Sequence, residues 1–425
     1  MNGLKTSNAP HSSVVIPHFI FAALCLVLLA IMILLSNTTL LEAYFNTNII
    51  AITHMAVLGW AIMIIFGALY QLIPVVFETA LFSEKLAKFT FWLSAFSVFF
   101  LTYSFWVSAL TTWLLYASVF MLVSIALFVI NILISYKKSS VKNITSKFIV
   151  ASIFWLAITA LLGVLIAFNF RFNFLNEIHL HYLKIHATVG MVGWFLLLII
   201  GVGSTLLPMF FISHQLNYKK LTYSFYFVNC GLIGLIVNWF VFSLVSVTIV
   251  SWALVVIGVL FFVLFIYESY KKRMRKKLDV GMQYSVLAIA SIILPIIVSL
   301  ILIFGFKIEF EQLSRVTTFY GFSILFGFIT TLILGQTYKT LPFICWLDKY
   351  KKLVGKTKTP LPRELYSEKI ANFQFYIYVI FMVSMAVGIL DNSMVFVKIG
   401  SYCLLVVALL YTINVLKIIL HKVKN

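Results

Sequence analysis

The chain has 425 residues, of which 63% are hydrophobic and only 10% charged, and its mean hydropathy is +1.09. Soluble domains carry about 25% charged residues, so this composition excludes an ordinary water-soluble fold. The formal net charge of +19 would suit a nucleic-acid binder, but the placement of the charges along the chain argues against that partner.

In chain order, twelve apolar runs of about 20 residues follow one another, at roughly 17–35, 50–76, 87–110, 113–135, 147–168, 182–211, 222–245, 248–268, 281–304, 315–346, 370–390 and 395–420. A helix needs about 20 residues to cross a bilayer core, and continuous apolar runs do not suit barrel strands, which alternate. The expected fold is all-α, a single integral membrane domain over 1–425 with about twelve transmembrane helices. Residues before the first run lack the small-residue cleavage site of a signal peptide, so that run is expected to remain as a span.

With the N-terminus cytoplasmic, 26 of the 31 Lys and Arg residues fall on the inner side. They are Lys5, Lys85, Lys88, four in 137–147, Lys219, Lys220, six in 271–277, eight in 339–369 and three near the C-terminus. Arg171, Lys184, Lys307, Arg315 and Lys398 remain outside. This is the positive-inside pattern, which places both termini in the cytoplasm and assigns the basic charge to topology and anionic lipid rather than nucleic acid. The lipid bilayer is the expected partner. Cys25, Cys230, Cys345 and Cys403 form no CxxC pair and, lying within or at the end of spans, are expected to be buried small hydrophobes.

A repeat runs through the apolar segments. Gly59-Trp60, Gly67 and Pro74 in the second run match Gly193-Trp194, Gly201 and Pro208 in the sixth, and Gly327-Phe328, Gly335 and Pro342 in the tenth. Trp60, Trp194 and Phe328 are 134 residues apart and 134 again. The pattern divides the chain into three units of four helices, about 17–135, 147–268 and 281–420. Four is even, so the units are parallel rather than inverted. Glycines seven residues apart on one face are expected to line close helix contacts.

Three parallel four-helix units, with the stretches THMAVLGWAIMIIFGALYQLIPVV, HATVGMVGWFLLLIIGVGSTLLPMF and YKTLPFICWLDKYKKLVGKTKTPLPREL, resemble subunit I of the haem-copper oxidase superfamily. The likeness is to a bacterial branch of that superfamily, with the NnrS-like haem-and-copper membrane proteins as distant neighbours. It implies a bacterial inner-membrane protein with a redox role connected with oxygen or nitric oxide, possessing haem, copper or both. A partner subunit or electron donor is left unidentified.

On that resemblance, His54 inherits the role of a haem axial ligand on the second helix, near its outer end. Neutral imidazole is a good ligand for iron, and haem would account for a polar group at membrane depth. The residue alone also suits a histidine bonded to a neighbouring carbonyl or to interfacial water. In the sixth segment, HLHYLKIHATVGMVGW holds His179, His181 and His186. His186 corresponds to the superfamily's copper ligand, and His179 and His181, in the preceding loop or first turn, could join it as metal ligands. His186 lies eight residues before Trp194 and His54 six before Trp60, so the two are not repeat equivalents. His11, His18, His214 and His421 are expected at termini or interfaces, in contact with solvent.

Departures from the superfamily are equally specific. The tenth segment has Phe319, Tyr320 and Phe322 where two haem histidines belong, SFYFVNCGLIGLIVNW in the seventh lacks the copper histidine pair, and Gly190 replaces the tyrosine four residues after His186. An oxygen-reducing binuclear centre is therefore not expected. Glu78, Glu84, Glu268 and Asp348 lie near inner span ends and Glu42, Glu309, Glu311 and Asp391 near outer ones, so no carboxylate chain crosses the membrane. Tyr70, Gln71, Ser204, Thr205, Tyr338 and Lys339 precede the three prolines as a polar set, with Lys339 expected to snorkel. Residues 347–369 are expected to form the longest loop. Two function classes stand: a haem-copper redox or gas-binding protein, and a cofactor-free transporter, assembly factor or scaffold of the same fold.

Overall fold

A computed structural model describes residues 9–304 and 309–423; Lys5, Lys307 and Lys424 of the charge pattern lie outside them. Twelve helices are long and apolar enough to cross a membrane, and no strand occurs among the described residues. They are α1 (Ser12–Leu35), α2 (Thr47–Val76), α3 (Glu84–Trp106), α4 (Thr112–Lys137), α5 (Ile144–Phe172), α6 (His179–Phe211), α7 (Lys219–Phe242), α8 (Val245–Lys271), α9 (Val280–Phe304), α10 (Phe310–Leu353), α11 (Glu368–Leu390) and α12 (Met394–Ile419). Each matches one of the twelve apolar runs. The largest difference is at α10, which continues to Leu353 and takes the first residues of the expected 347–369 loop.

Local chemistry sets where the helices start. First-turn N–H groups have no intrahelical partner, so a side-chain acceptor stabilises the beginning. Asn46 Oδ1 accepts from Asn48 N at 3.0 Å before α2, and Asn143 Oδ1 from Ser146 N at 2.8 Å before α5. Asp279 Oδ1 accepts from Met282 N at 3.2 Å before α9. Several ends turn through left-handed residues, Asn173 after α5 and Ile212 after α6 among them.

The chain forms two compact units. One contains Leu72–Leu93 and Leu110–Lys277, and the other contains Pro10–Gln71, Ser94–Ala109 and Leu278–Asn425. Within the first, α4 packs on α5, α5 on α6, and α7 on α8; within the second, α1 packs on α12, α9 on α10, and α11 on α12. A stripe of Phe89, Trp92, Phe96, Phe99 and Tyr103 on α3 is exposed at alternating three- and four-residue spacing, which suits a face in contact with lipid.

The recurrent glycines sit where helices touch. A Cβ on Gly67 would fall 2.8 Å from His18 Cβ, one on Gly201 2.6 Å from Phe148 Cβ, and one on Gly335 2.7 Å from Tyr284 Cβ. In all three cases the neighbour is the helix just before in sequence. Gly59 likewise meets Cys25 and Val98, Gly193 meets Trp155 and Leu232, and Gly327 meets Ser291 and Met382. The same three helices also depart from α-geometry in the same place. Met55–Ile62, Val189–Leu196 and Ser323–Thr330 are each an eight-residue π-helical segment. Their starts and ends keep the interval of Trp60, Trp194 and Phe328. Such long π segments are rare and leave a wider turn, each hydrogen bond spanning one residue more than in an α-helix.

Candidate functional site

His54 ends the α-helical part of α2, immediately before the π segment Met55–Ile62. Its side chain is half-buried, and its ring stacks on Phe105 of α3 with centroids 4.8 Å apart. Nδ1 donates to the Ile50 carbonyl at 2.8 Å. A carbonyl can only accept, so the proton is on Nδ1 and the ring lone pair on Nε2.

His186 is on α6, three residues before its π segment. It turns toward α5, where Nδ1 donates to the Thr159 carbonyl at 3.0 Å. Gly163 makes the room, since a Cβ there would lie 3.0 Å from His186 Cε1. His54 thus meets the helix after its own in sequence and His186 the helix before. Two residues of offset amount to about 200° around a helix, which accounts for the opposite directions.

His179 and His181 lie in the first turn of α6, not in a loop. Asn169 Oδ1 accepts from Leu175 N, so its Nδ2 is the atom facing His179 Nε2 at 3.0 Å, and that nitrogen accepts. His179 also stacks on Phe170 at 4.3 Å. His181 Nε2 donates to the Trp239 carbonyl at 3.1 Å, beside Lys184, whose ammonium lies 4.5 Å from the Trp239 ring centroid. The three histidines of the sixth segment therefore engage three separate partners. Among the described residues, no group of three or more His, Cys, Asp or Glu gathers to hold a metal ion.

No family model matches the chain, and no curated protein matches it. The site has to be read from its own geometry. For haem or copper the test is the state of each imidazole, because a ligating histidine usually donates its second ring N–H to a carbonyl or carboxylate. His54 and His186 both fit, with Nδ1–H held by a main-chain carbonyl, and His181 fits in the other tautomer, with Nε2–H held by the Trp239 carbonyl. His179 does not, because Asn169 occupies its Nε2 lone pair and the proton stands on Nδ1.

Three expectations need correction. His18 is fully buried, not solvated: it is nearly two turns inside α1, packs against Gly67 and Tyr70, and donates from Nδ1 to the Val14 carbonyl at 2.9 Å. Cys230 is exposed on the outside of α7, whereas Cys25 and Cys345 are buried as expected. Lys339 does not snorkel, but pairs with Asp279 at the start of α9. The seventh segment's Asn229 accepts from Trp155 Nε1 at 3.1 Å, a structural use of its polar side chain.

Apart from Tyr338, which belongs to the polar set before the prolines, the residues missed in the sequence are polar ones inside α9–α12. Tyr284, Tyr378 and Tyr411 are fully buried, as are Gln374 and Asn414, and Tyr338 is 3% exposed. The Tyr338 hydroxyl donates to Gln374 Oε1 at 2.5 Å and accepts from Asn414 Nδ2 at 3.3 Å. Tyr411 donates to Thr337 at 3.2 Å, and Tyr378 to the Phe326 carbonyl of the π segment at 2.6 Å. Trp60 of α2 adds a bond from Nε1 to Thr330 at 3.2 Å. Uncharged side chains scattered over four apolar helices give no spacing signal, so only the fold gathers them.

Proposed function

We propose that the chain is a bacterial inner-membrane haem protein of three parallel four-helix units, with a redox or gas-binding role connected with oxygen or nitric oxide. His54 would hold haem iron through Nε2, and His186 would hold a separate metal, copper, through its own Nε2. The observation that carries this reading is the main-chain carbonyl on Nδ1 of both rings, which fixes the ligating tautomer. Bound haem would supply the electron transfer or the binding of a diatomic gas. The chain's own part is to orient the imidazole: Ile50 fixes the tautomer and Phe105 the ring plane. Phe319, Phe322 and Phe326 stack where α10 would have to supply a second histidine, which supports a single protein ligand and argues against a complete oxidase centre. The positive-inside pattern supports cytoplasmic termini.

The test is a visible spectrum and metal analysis of protein expressed with haem and copper in excess. A Soret band should be present in the wild type, lost in His54→Ala and kept in His186→Ala, which should instead lower bound copper. Wild-type protein devoid of both haem and copper overturns the reading. The second class, a cofactor-free transporter or scaffold, draws on the buried polar side chains of α9–α12.

A further inference from the structure

The exposed sides of α7 and α8 change in character along their length. On α8, Ile257, Leu260, Leu264 and Tyr267 are exposed at three- and four-residue spacing, and Lys271 continues that face one turn later. On α7, Val237, Ile233, Tyr226 and Tyr223 form a second stripe that ends at exposed Lys219. Phe261 of α8 joins the two, with its ring 5.3 Å from that of Tyr223 and stacked on Phe227 at 5.8 Å. Each stripe therefore passes from aliphatic side chains through tyrosine to a cation. A bilayer leaflet presents its layers in the same order: acyl chains, the interface that tyrosine prefers, then phosphate.

The cationic end of this surface is held in place. Glu268 of α8 accepts from Lys220 of α7 at 2.7 Å and from Lys272 at 2.8 Å, which sets their neighbours Lys219 and Lys271 at one level. Lys272 also donates to the Gln215 carbonyl at 2.6 Å, and the Arg275 N–H to the Phe211 carbonyl at 3.4 Å, so the residues after α8 lie against the α6–α7 connection. The Lys271 ammonium is 4.9 Å from the Tyr267 ring centroid and the Arg273 guanidinium 3.8 Å from that of Tyr270. Both rings precede their cation on the helix, so both cations turn back toward the bilayer. Glu268 is already shared by two lysines, and Lys219, Lys271 and Arg273 meet no carboxylate among the described residues.

We propose that this face of α7 and α8 is a binding site for one anionic phospholipid, its phosphate between Lys219 and Lys271 and an acyl chain along Phe227, Phe261 and Leu264. Charge complementarity selects the headgroup, because cations without a carboxylate attract an anion at the membrane surface. A positive-inside loop needs the charges alone; the ordered apolar track beneath them selects a lipid over a soluble anion. The site is independent of His54 and His186, so it stands or falls apart from the haem reading.

Native mass spectrometry of the full chain, released from nonionic detergent after titration with dioleoyl phosphatidylglycerol or dioleoyl phosphatidylcholine, tests it by the affinity of the first bound lipid. The anionic lipid should bind about tenfold tighter or more. Lys219→Gln with Lys271→Gln should weaken that first step by about tenfold and leave phosphatidylcholine unchanged. Lys137→Gln with Lys138→Gln, the same loss of charge at the end of α4, should leave both lipids unchanged. All four lysines are exposed, so the exchanges test charge rather than folding. Inorganic phosphate in large excess should not displace the bound lipid, because it has no chain to lie on the track. Equal affinity for the two lipids in the wild type, equal losses in the two double variants, or displacement by inorganic phosphate overturns the proposal.

Discussion

Gly335→Ala tests a close crossing of α9 and α10. A Cβ there falls 2.5 Å from the Gly281 carbonyl oxygen and 2.7 Å from Tyr284 Cβ. Non-bonded carbon normally sits about 3.5–4.0 Å from its neighbour, so α9 and α10 would have to part by about 1 Å. Neither obstacle is the tip of a flexible side chain, so the overpacking should cost about 1–3 kcal/mol. Alanine returns up to about 1 kcal/mol of helix propensity, leaving a net loss of about 1–2 kcal/mol. Gly203→Ala is the control. Its Cβ would find nothing nearer than Phe262 Cζ at 3.5 Å, so only the propensity gain remains, up to about 1 kcal/mol of stabilisation. Unfolding in mixed micelles, followed by tryptophan fluorescence against SDS mole fraction, reads both variants. Opposite signs are expected. Gly335→Ala as stable as the wild type would refute the packing role of this glycine and weaken that of Gly67 and Gly201, whose leucine variants should be destabilised for the same reason.

Three further outcomes follow from other features. Reporters fused after Lys277 and near Asn173 should appear on opposite sides of the membrane, the first cytoplasmic; a reversed pattern defeats the orientation. Tyr338→Phe strands Gln374 Oε1 and leaves Asn414 Nδ2 only its bond to the Ser367 carbonyl, and should lower stability by about 1–3 kcal/mol in the same micelle titration, whereas Tyr103→Phe on the exposed face of α3 should leave it unchanged. Trp60→Phe loses the bond to Thr330 and should cost about 1 kcal/mol more than Trp194→Phe, because Trp194 Nε1 has no partner to lose among the described residues; equal losses would refute the role given to the Trp60 bond.

The twelve helices were legible because the bilayer imposes one length and one polarity on every span, and the run from Met394 to Ile419 can satisfy both in only one way. The glycine contacts were legible too, since Gly67, Gly201 and Gly335 recur at a fixed interval. Burial of His18 was not. Its place near the start of an apolar run suits either an aqueous interface or a helix contact, and only the position of Gly67 opposite it decides between them. The pairing of Lys339 with Asp279 joins residues 60 positions apart, which no local pattern reports. As for the site, the direction of His54 and His186 followed from a two-residue offset. The carbonyls that fix their tautomers did not, because Thr159 is on another helix and its backbone carries no residue signature.

The three wide turns carry a historical consequence. A π segment takes up a residue more per turn than the α-helix around it, so it stores what amounts to a single-residue insertion without disturbing the faces on either side. On the reading of three equivalent units, one insertion in an ancestral four-helix element, present before that element was copied, explains why Met55–Ile62, Val189–Leu196 and Ser323–Thr330 coincide. Each copy then retained a built-in tolerance. Removing one residue inside a wide turn lets it tighten toward α-geometry, whereas the same deletion one turn beyond it would rotate half the helix away from its neighbours.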